Sequence, residues 1–397
     1  AFCRALVEGI GAGGEVATTQ GRLRFVPTAQ YAAIAGTDIA ALAVGNPQPS
    51  SSNTVITLGD RLLLKGYRRV RRGVNPEFEM GRFLTEVARF PHCAPVAGAL
   101  EHVAPDGTTA SLALLQGYVS NQGDGWAFTI AYLGRHFAEA DTTRPLPADV
   151  HGAYVELAST LGARTAGLHR ALALPGGGPA FTAEPVTDAD ASAWKARVRA
   201  EANATLDLLA KHSDELDESV RIQAKELLKD ARPLLARIDR CAFSAAGAHK
   251  TRYHGDYHLG QVLVQRNDFV ITDFEGEPAR TLEERRAKHS PLRDVAGMLR
   301  SFDYARWSAL RRAVKAGVDL DRVAPLGAAW EQQAREAFVA AYDAAIQGAG
   351  VYASLDKARG LLDLFVLEKA LYELRYELTN RPDWAAIPLH GILALAR

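Results

Sequence analysis

Cysteine is scarce in this chain: Cys3, Cys93 and Cys241 are the only three among 397 residues. Their odd number, wide spread and lack of any Cys-x-x-Cys spacing argue against a disulfide framework and imply a reducing, cytoplasmic setting. Net charge is missing as well. The 46 basic and 46 acidic residues cancel, which removes the electrostatic case for nucleic acid or an anionic membrane as partner. No apolar run approaches the length of a membrane span, no internal repeat is visible, and no Gly-x-x-x-x-Gly-Lys-Ser/Thr phosphate loop occurs. Gly9-x-Gly11-x-x-Gly14 has the spacing of a dinucleotide fingerprint but neither the preceding strand nor the helix that should open at it, so that reading is excluded. The segment Ala1 to Ile10 reads as helix from the outset and lacks a start Met, as expected of a piece of a longer polypeptide.

What is present is a chain long enough, and at 48% hydrophobic apolar enough, for two or three packed units. Its most specific feature is His254-Gly255-Asp256-Tyr257-His258-Leu259-Gly260-Gln261, followed twelve residues later by Asp273-Phe274-Glu275. Protein kinases carry a His-x-Asp, an Asn five residues beyond it, then Asp-Phe-Gly. Order and spacing match here, with Gln for Asn and Glu for Gly. Phosphoryl transfer explains the residue types: Asp256 as the base that receives the acceptor hydroxyl's proton, Gln261 and Asp273 as oxygen ligands of Mg²⁺ against the phosphates of ATP. Gln retains the amide oxygen of Asn one methylene further out. The bland alternative is a polar turn before a strand at 261–264, with Asp273 ending another at 269–272; the two matched halves favour the catalytic reading. His258 is a candidate substrate contact.

Upstream, residues 1–48 read as an N-terminal cap with a strand at 22–27, residues 49–120 as a β-rich unit and residues 121–397 as a helical one. Gly59-Asp60 between two β-like runs predicts a two-residue hairpin turn, with Leu58 opposite Arg61 and Thr54 opposite Lys65. That register sets Lys65 beside Ser51, Ser52, Asn53 and Thr54, a loop of small polar residues suited to phosphates, and makes Lys65 a candidate phosphate clamp. The helix opening at Pro76 offers Glu77 and Glu79 as partners for Lys65, and Glu79 is preferred. Strands follow at 96–101 and 111–119, with Gln116, Tyr118 and Val119 as a hinge over adenine. Arg68, Arg69, Arg71 and Arg72 read as a solvated loop. Helices are expected at 126–139, 149–173, 188–212 and 216–240, and another opens at Ser290-Pro291, where Asp294 is either a first-turn acid or a brace for the catalytic loop. The last helix, 361–378, carries an apolar stripe at Leu364, Leu367, Leu371, Leu374 and Leu378. Glu373, Tyr376, Arg381 and Trp384, on and after its polar face, suit a polyol, with a solvated face as the alternative.

These segments together, from Leu64-Lys65-Gly66-Tyr67 through Asp273-Phe274-Glu275-Gly276-Glu277-Pro278 to Arg381-Pro382-Asp383-Trp384, resemble bacterial maltokinases over nearly the whole chain. The resemblance implies an α+β, two-lobed, aminoglycoside-phosphotransferase-like kinase fold with a small capped β-rich N-lobe and a large helical C-lobe. It implies ATP- and Mg²⁺-dependent conversion of maltose to maltose 1-phosphate, and trehalose synthase as fused domain or partner. One departure is visible: Pro49-Ser50-Ser51-Ser52 stands where that family has a Gly/Glu-Gln pair. A kinase of glucosamine or another small acceptor, and a catalytically silent module that binds the synthase, are the alternatives.

Overall fold

The computed structural model describes residues 1–46, 53–139 and 150–396. Its first half is built on one antiparallel sheet: α1 (Phe2–Ala12), β1 (Gly14–Thr18), β2 (Gly21–Pro27), α2 (Tyr31–Ala35), β3 (Val44–Gly45), β4 (Thr54–Leu58), β5 (Leu62–Gly66), α3 (Pro76–Glu86), β6 (Val96–Val103) and β7 (Thr109–Gly117). The strand order is β1-β2-β6-β7-β5-β4-β3. The expected cap is therefore not a separate unit, since β1 and β2 extend one side of this sheet and β3 the other. A two-residue turn would leave the exposed polar loop no room to twist; the observed hairpin uses Gly59-Asp60-Arg61, pairing Leu58 with Leu62 and Val55, not Thr54, with Lys65. Gly59, at φ 54°, supplies the left-handed residue such a three-residue loop requires.

The C-lobe follows β7 through α4 (Gly125–Glu139), α5 (Gly152–Leu172), β8 (Glu184–Pro185), α6 (Asp188–His212), α7 (Glu218–Lys229), α8 (Arg232–Arg240), β9 (His249–Lys250), β10 (Val262–Gln265), β11 (Asp268–Ile271), α9 (Leu282–Arg286), α10 (Leu292–Lys315), α11 (Leu320–Ile346), α12 (Leu355–Asn380) and α13 (Ala386–Ala396). The single helix expected over 216–240 breaks into α7 and α8, because Pro233 lacks an amide proton and starts a new helix as a first-turn residue. Burial of Leu364, Leu367, Leu371, Leu374 and Leu378 makes α12 the central helix of this lobe. No helix among the described residues is long and apolar enough to cross a membrane.

Two seams join the lobes around the β10–β11 hairpin. On one edge the Gln122 amide donates to the Val264 carbonyl (2.8 Å) and the Val264 amide to that of Gly123 (2.9 Å); on the other the Ile271 amide donates to the His92 carbonyl (2.8 Å). The hairpin is thus held from both sides, which fixes the loops at its ends.

The α5–α11 contact admits almost no change. A Cβ on Gly162 would lie 2.2 Å from the Phe338 carbonyl oxygen. Gly162→Ala should therefore destabilise the protein by about 1–3 kcal/mol, read as a lower urea midpoint at unchanged slope; an unchanged midpoint would mean that these helices separate at no cost.

Candidate active site

Lys65, on β5, is the cation at the centre of the cleft. Its ammonium donates to Glu77 (2.9 Å), Asp273 (2.9 Å) and Glu275 (2.6 Å). Burial opposes a charge there, but Glu77, Asp273 and Glu275 more than offset it and hold Lys65 well above the ordinary lysine range. Glu77, and not the expected Glu79, is its partner on α3. The reason is helical phase: residues two apart point about 200° away from each other, so one acid turns inward and the other away. Asn75 caps α3 by accepting from the Glu77 and Phe78 amides (2.8 and 3.2 Å), with Pro76 in the first turn. The Tyr67 hydroxyl donates to Glu77 as well (2.6 Å).

Glu79 instead reaches the C-lobe, where Arg252 (2.6 Å) and Arg286 (2.7 Å) bind its carboxylate. Burial would raise its pKa; the two guanidiniums win and hold it below the usual carboxylate range. Arg252 itself is 1% exposed and lies against the Phe181 ring, 5.3 Å from its centroid. Sequence reasoning missed this tie because its three residues lie on three distant segments.

The catalytic-motif loop hangs from Asp294 at the start of α10. Its carboxylate accepts from the His254 amide (2.7 Å) and the Gly255 amide (2.9 Å), and from His169 Nε2 at 3.0 Å. Asp294 is thus both a first-turn acid and the brace, the two readings the sequence left open. His254 Nε2 donates to the Thr272 carbonyl (2.8 Å), coupling this loop to the end of β11. The next residue, Asp273, has φ 65°, a left-handed conformation rare for a non-glycine residue and costly unless its surroundings impose it. Gln261 Nε2 donates to Asp273 Oδ2 (3.1 Å), so these two meet as the spacing suggested. Among the described residues, oxygens of Glu77, Asp273 and Glu275 lie within 4.8 Å of one another. An all-oxygen set with an amide carbonyl beside it fits a hard divalent cation.

Asp256 faces a different cation, Lys369 of α12, at 3.5 Å. Lys369 also donates to Glu277 (2.8 Å), which Arg280 binds on its other side (2.5 Å). Gly255, Tyr257, Glu277, Arg280, Lys369 and Tyr372 line a small closed cavity beside Asp256. Burial lowers the His258 pKa against the opposite pull of Asp256, and its Nδ1 accepts from the Gly260 amide (3.0 Å). Glu373 does not join the residues at the end of α12. It turns inward to the buried Arg300 (2.8 Å), and Glu377 takes the place beside Arg381 (2.6 Å). Tyr376 and Trp384 flank the Arg381 guanidinium at 5.4 and 5.3 Å. Lys369, Tyr372 and Glu277 went unassigned in the sequence, although the helical spacing of Lys369 and Tyr372 with Tyr376 was the signal that could have found them.

On the nucleotide side, Asn53 Nδ2 donates to Glu275 (3.1 Å) and Thr54 Oγ1 accepts from Arg68 (3.1 Å). Ser51 and Ser52 lie outside the described residues. Gln116 is buried at the end of β7, and the Tyr118 amide donates to the Arg61 carbonyl (2.7 Å), so this strand passes along β5 into the C-lobe.

Two outcomes follow. Glu79→Gln leaves the buried Arg252 without its carboxylate and should cost about 3 kcal/mol of unfolding free energy; chemical denaturation checks it. Burial would raise the Glu277 pKa, but Lys369 and Arg280 hold it at about 2. A depressed carboxylate stabilises the fold above its unfolded pKa and loses that contribution as pH falls, so stability should drop between about pH 5 and pH 2. Glu277→Gln should flatten that part of the pH–stability curve.

No family model matches the chain. Glucosamine kinases of Streptacidiphilus jiangxiensis and Mycolicibacterium smegmatis are each 30% identical to it, over 285 and 281 residues, 70% of this chain in both cases. The chain spans 56% and 61% of the length of these two curated relatives. A solved glucosamine kinase in complex with glucosamine, ADP and inorganic phosphate superposes with a TM-score of 0.67 at 21% identity, covering 94% of this chain and 87% of that one. A second crystal form of glucosamine kinase gives 0.68, covering 96% and 90%. The chain therefore shares the fold of these kinases, a β-sheet N-lobe joined to a mostly helical C-lobe.

Proposed function

We propose that the chain is an ATP-dependent sugar kinase whose acceptor is a small amino sugar of the glucosamine type. The observation that carries the reading is the convergence of Lys65, Gln261 and Asp273 on one point, with Asp256 next to them facing a separate polar cavity. A nucleotide's phosphates and an acceptor hydroxyl can meet between those two groups and nowhere else in the cleft with both a base and a cation at hand. The two curated relatives support the acceptor class.

In this reading the acceptor hydroxyl sits against Asp256, which takes its proton as the oxygen bonds to the γ-phosphorus and the bond from that phosphorus to the β–γ bridging oxygen breaks, releasing ADP. Lys369 fixes the direction of the Asp256 carboxylate. Gln261 and Asp273 would hold Mg²⁺, with Glu275 alongside, and the bound ion would supply positive charge against the transferring phosphoryl group. Lys65 reaches the nucleotide's α- and β-phosphates while Glu77 sets its position, and Asn53 and Thr54 close over them. Gln116, Tyr118 and Val119 lie where the adenine would be received. The carboxylates around Lys65 outweigh its burial and keep it cationic, so it contributes attraction throughout the physiological pH range.

A second reading takes maltose as acceptor. It is favoured by the line of Tyr372, Tyr376 and Trp384 with Arg381, a set of rings and a guanidinium that a second sugar ring could follow away from Asp256. His258 and Glu373 then act from behind, through Asp256 and Arg300.

Initial rates with Mg-ATP over glucosamine, glucose and maltose, with phosphorus NMR of the product, separate the readings. Glucosamine should be preferred; a dominant maltose rate overturns that acceptor, and no turnover with any sugar overturns the kinase. Asp256→Asn should lower kcat by about 10²–10⁴-fold while circular dichroism stays unchanged.

A further inference from the structure

A cavity of about 260 Å³ beside Glu275 and Asn53 is lined by Arg69, Arg71, Arg285 and Ser111. It spans the lobes, because Arg69 and Arg71 belong to the segment between β5 and α3, whereas Arg285 belongs to α9. Arg71 donates to the Pro278 and Arg280 carbonyls (both 3.3 Å), and Arg285 donates to the same two carbonyls (2.7 and 3.1 Å). Two guanidiniums thus share one pair of neutral acceptors.

None of the three arginines has a carboxylate within ion-pair distance among the described residues. Glu275, the one acid in the lining, is already taken by Lys65 at 2.6 Å and by Asn53 at 3.1 Å. Burial lowers the pKa of Arg285 and Arg71 lowers it further, which together outweigh the opposite pull of Glu275, Asp256 and Asp273. Ser111 adds an independent sign. It is 5% exposed, and its hydroxyl has no hydrogen-bond partner, which is uncommon for a buried polar group. Three guanidiniums without a carboxylate ion pair among the described residues, and a buried hydroxyl, around an open volume are the donor set of a site for an oxyanion.

We propose that this cavity is a second anion site, adjoining the seat of the nucleotide at Asn53 and Glu275, that takes a phosphate group and bridges the lobes through Arg69 and Arg71 on one side and Arg285 on the other. The shared chemistry is a tetrahedral dianion, carried by inorganic phosphate or by the monoester of a small sugar. Sharing of the Pro278 and Arg280 carbonyls preorganises Arg71 and Arg285, and Arg69 closes the open side. The site goes beyond the kinase reading and does not depend on it.

Titration calorimetry with inorganic phosphate, at constant ionic strength and with the protein saturated by Mg-AMP-PNP, tests this. Phosphate should still bind, and Arg69→Ala/Arg71→Ala should weaken it at least about tenfold. Arg69→Ala alone, at an exposed side chain, should reduce affinity without a folding defect. Tighter binding of glucose 6-phosphate than of phosphate would identify the monoester as ligand; equal binding would identify the free ion. Absence of phosphate binding up to tens of millimolar, competition between phosphate and AMP-PNP, or affinity unchanged in both arginine variants would each overturn the proposal. If AMP-PNP itself fails to bind, the kinase reading falls, and the same titration on the nucleotide-free protein still decides this one.

Discussion

One ammonium group organises the cleft. Lys65 draws a carboxylate from α3 and two from the segment after β11 onto a single point, and in doing so ties an N-lobe strand, an N-lobe helix and a C-lobe loop together. Three carboxylates this close would repel one another strongly without a cation among them. The centre therefore carries its own counter-charge, and any cation that enters must share these oxygens with Lys65. The strained backbone at Asp273 belongs to the same balance: its orientation toward Lys65 and Gln261 is held by hydrogen bonds on both sides of it.

The Asp256 side of the cleft is organised on the same plan with different parts. Lys369 stands between Asp256 and Glu277 as Lys65 stands among its acids, and Arg280 completes the charge balance. Asp256 and Asp273 thus belong to separate ion-pair sets, one anchored on α12 and one on β5. The backbone beneath them is shared, because Asp294 holds the loop before Asp256 and His254 links that loop to the one before Asp273. A change at either set is transmitted through hydrogen bonds rather than through a common charge.

Much of this was legible in the sequence where the signal is local. The two-lobed α+β fold followed from the chain's motifs and its resemblance, and helix α6 was read with its observed ends because Thr187 and Asp190 form a capping box. The meeting of Gln261 with Asp273 was legible because both flank one short hairpin. What was misread depends on phase or register. Glu77 and Glu79 look alike on paper and differ only in which way the helix turns them; the β4–β5 hairpin slipped because one more loop residue was needed than Gly59-Asp60 suggests. Glu373 was assigned outward because nothing in its own helix reveals Arg300, 73 positions upstream. The Lys369 and Arg252 contacts join segments whose proximity only the tertiary fold creates.

The attachment of Glu79 to Arg252 and Arg286 has a mechanical consequence. Helix α3 is bolted to the large lobe at one face and to Lys65 at the other, so an outward swing of this helix would strand a deeply buried arginine. Any displacement of α3 relative to its surroundings must break either the Lys65–Glu77 pair or the Glu79–arginine pairs, so the helix serves as a fixed rivet between sheet and large lobe.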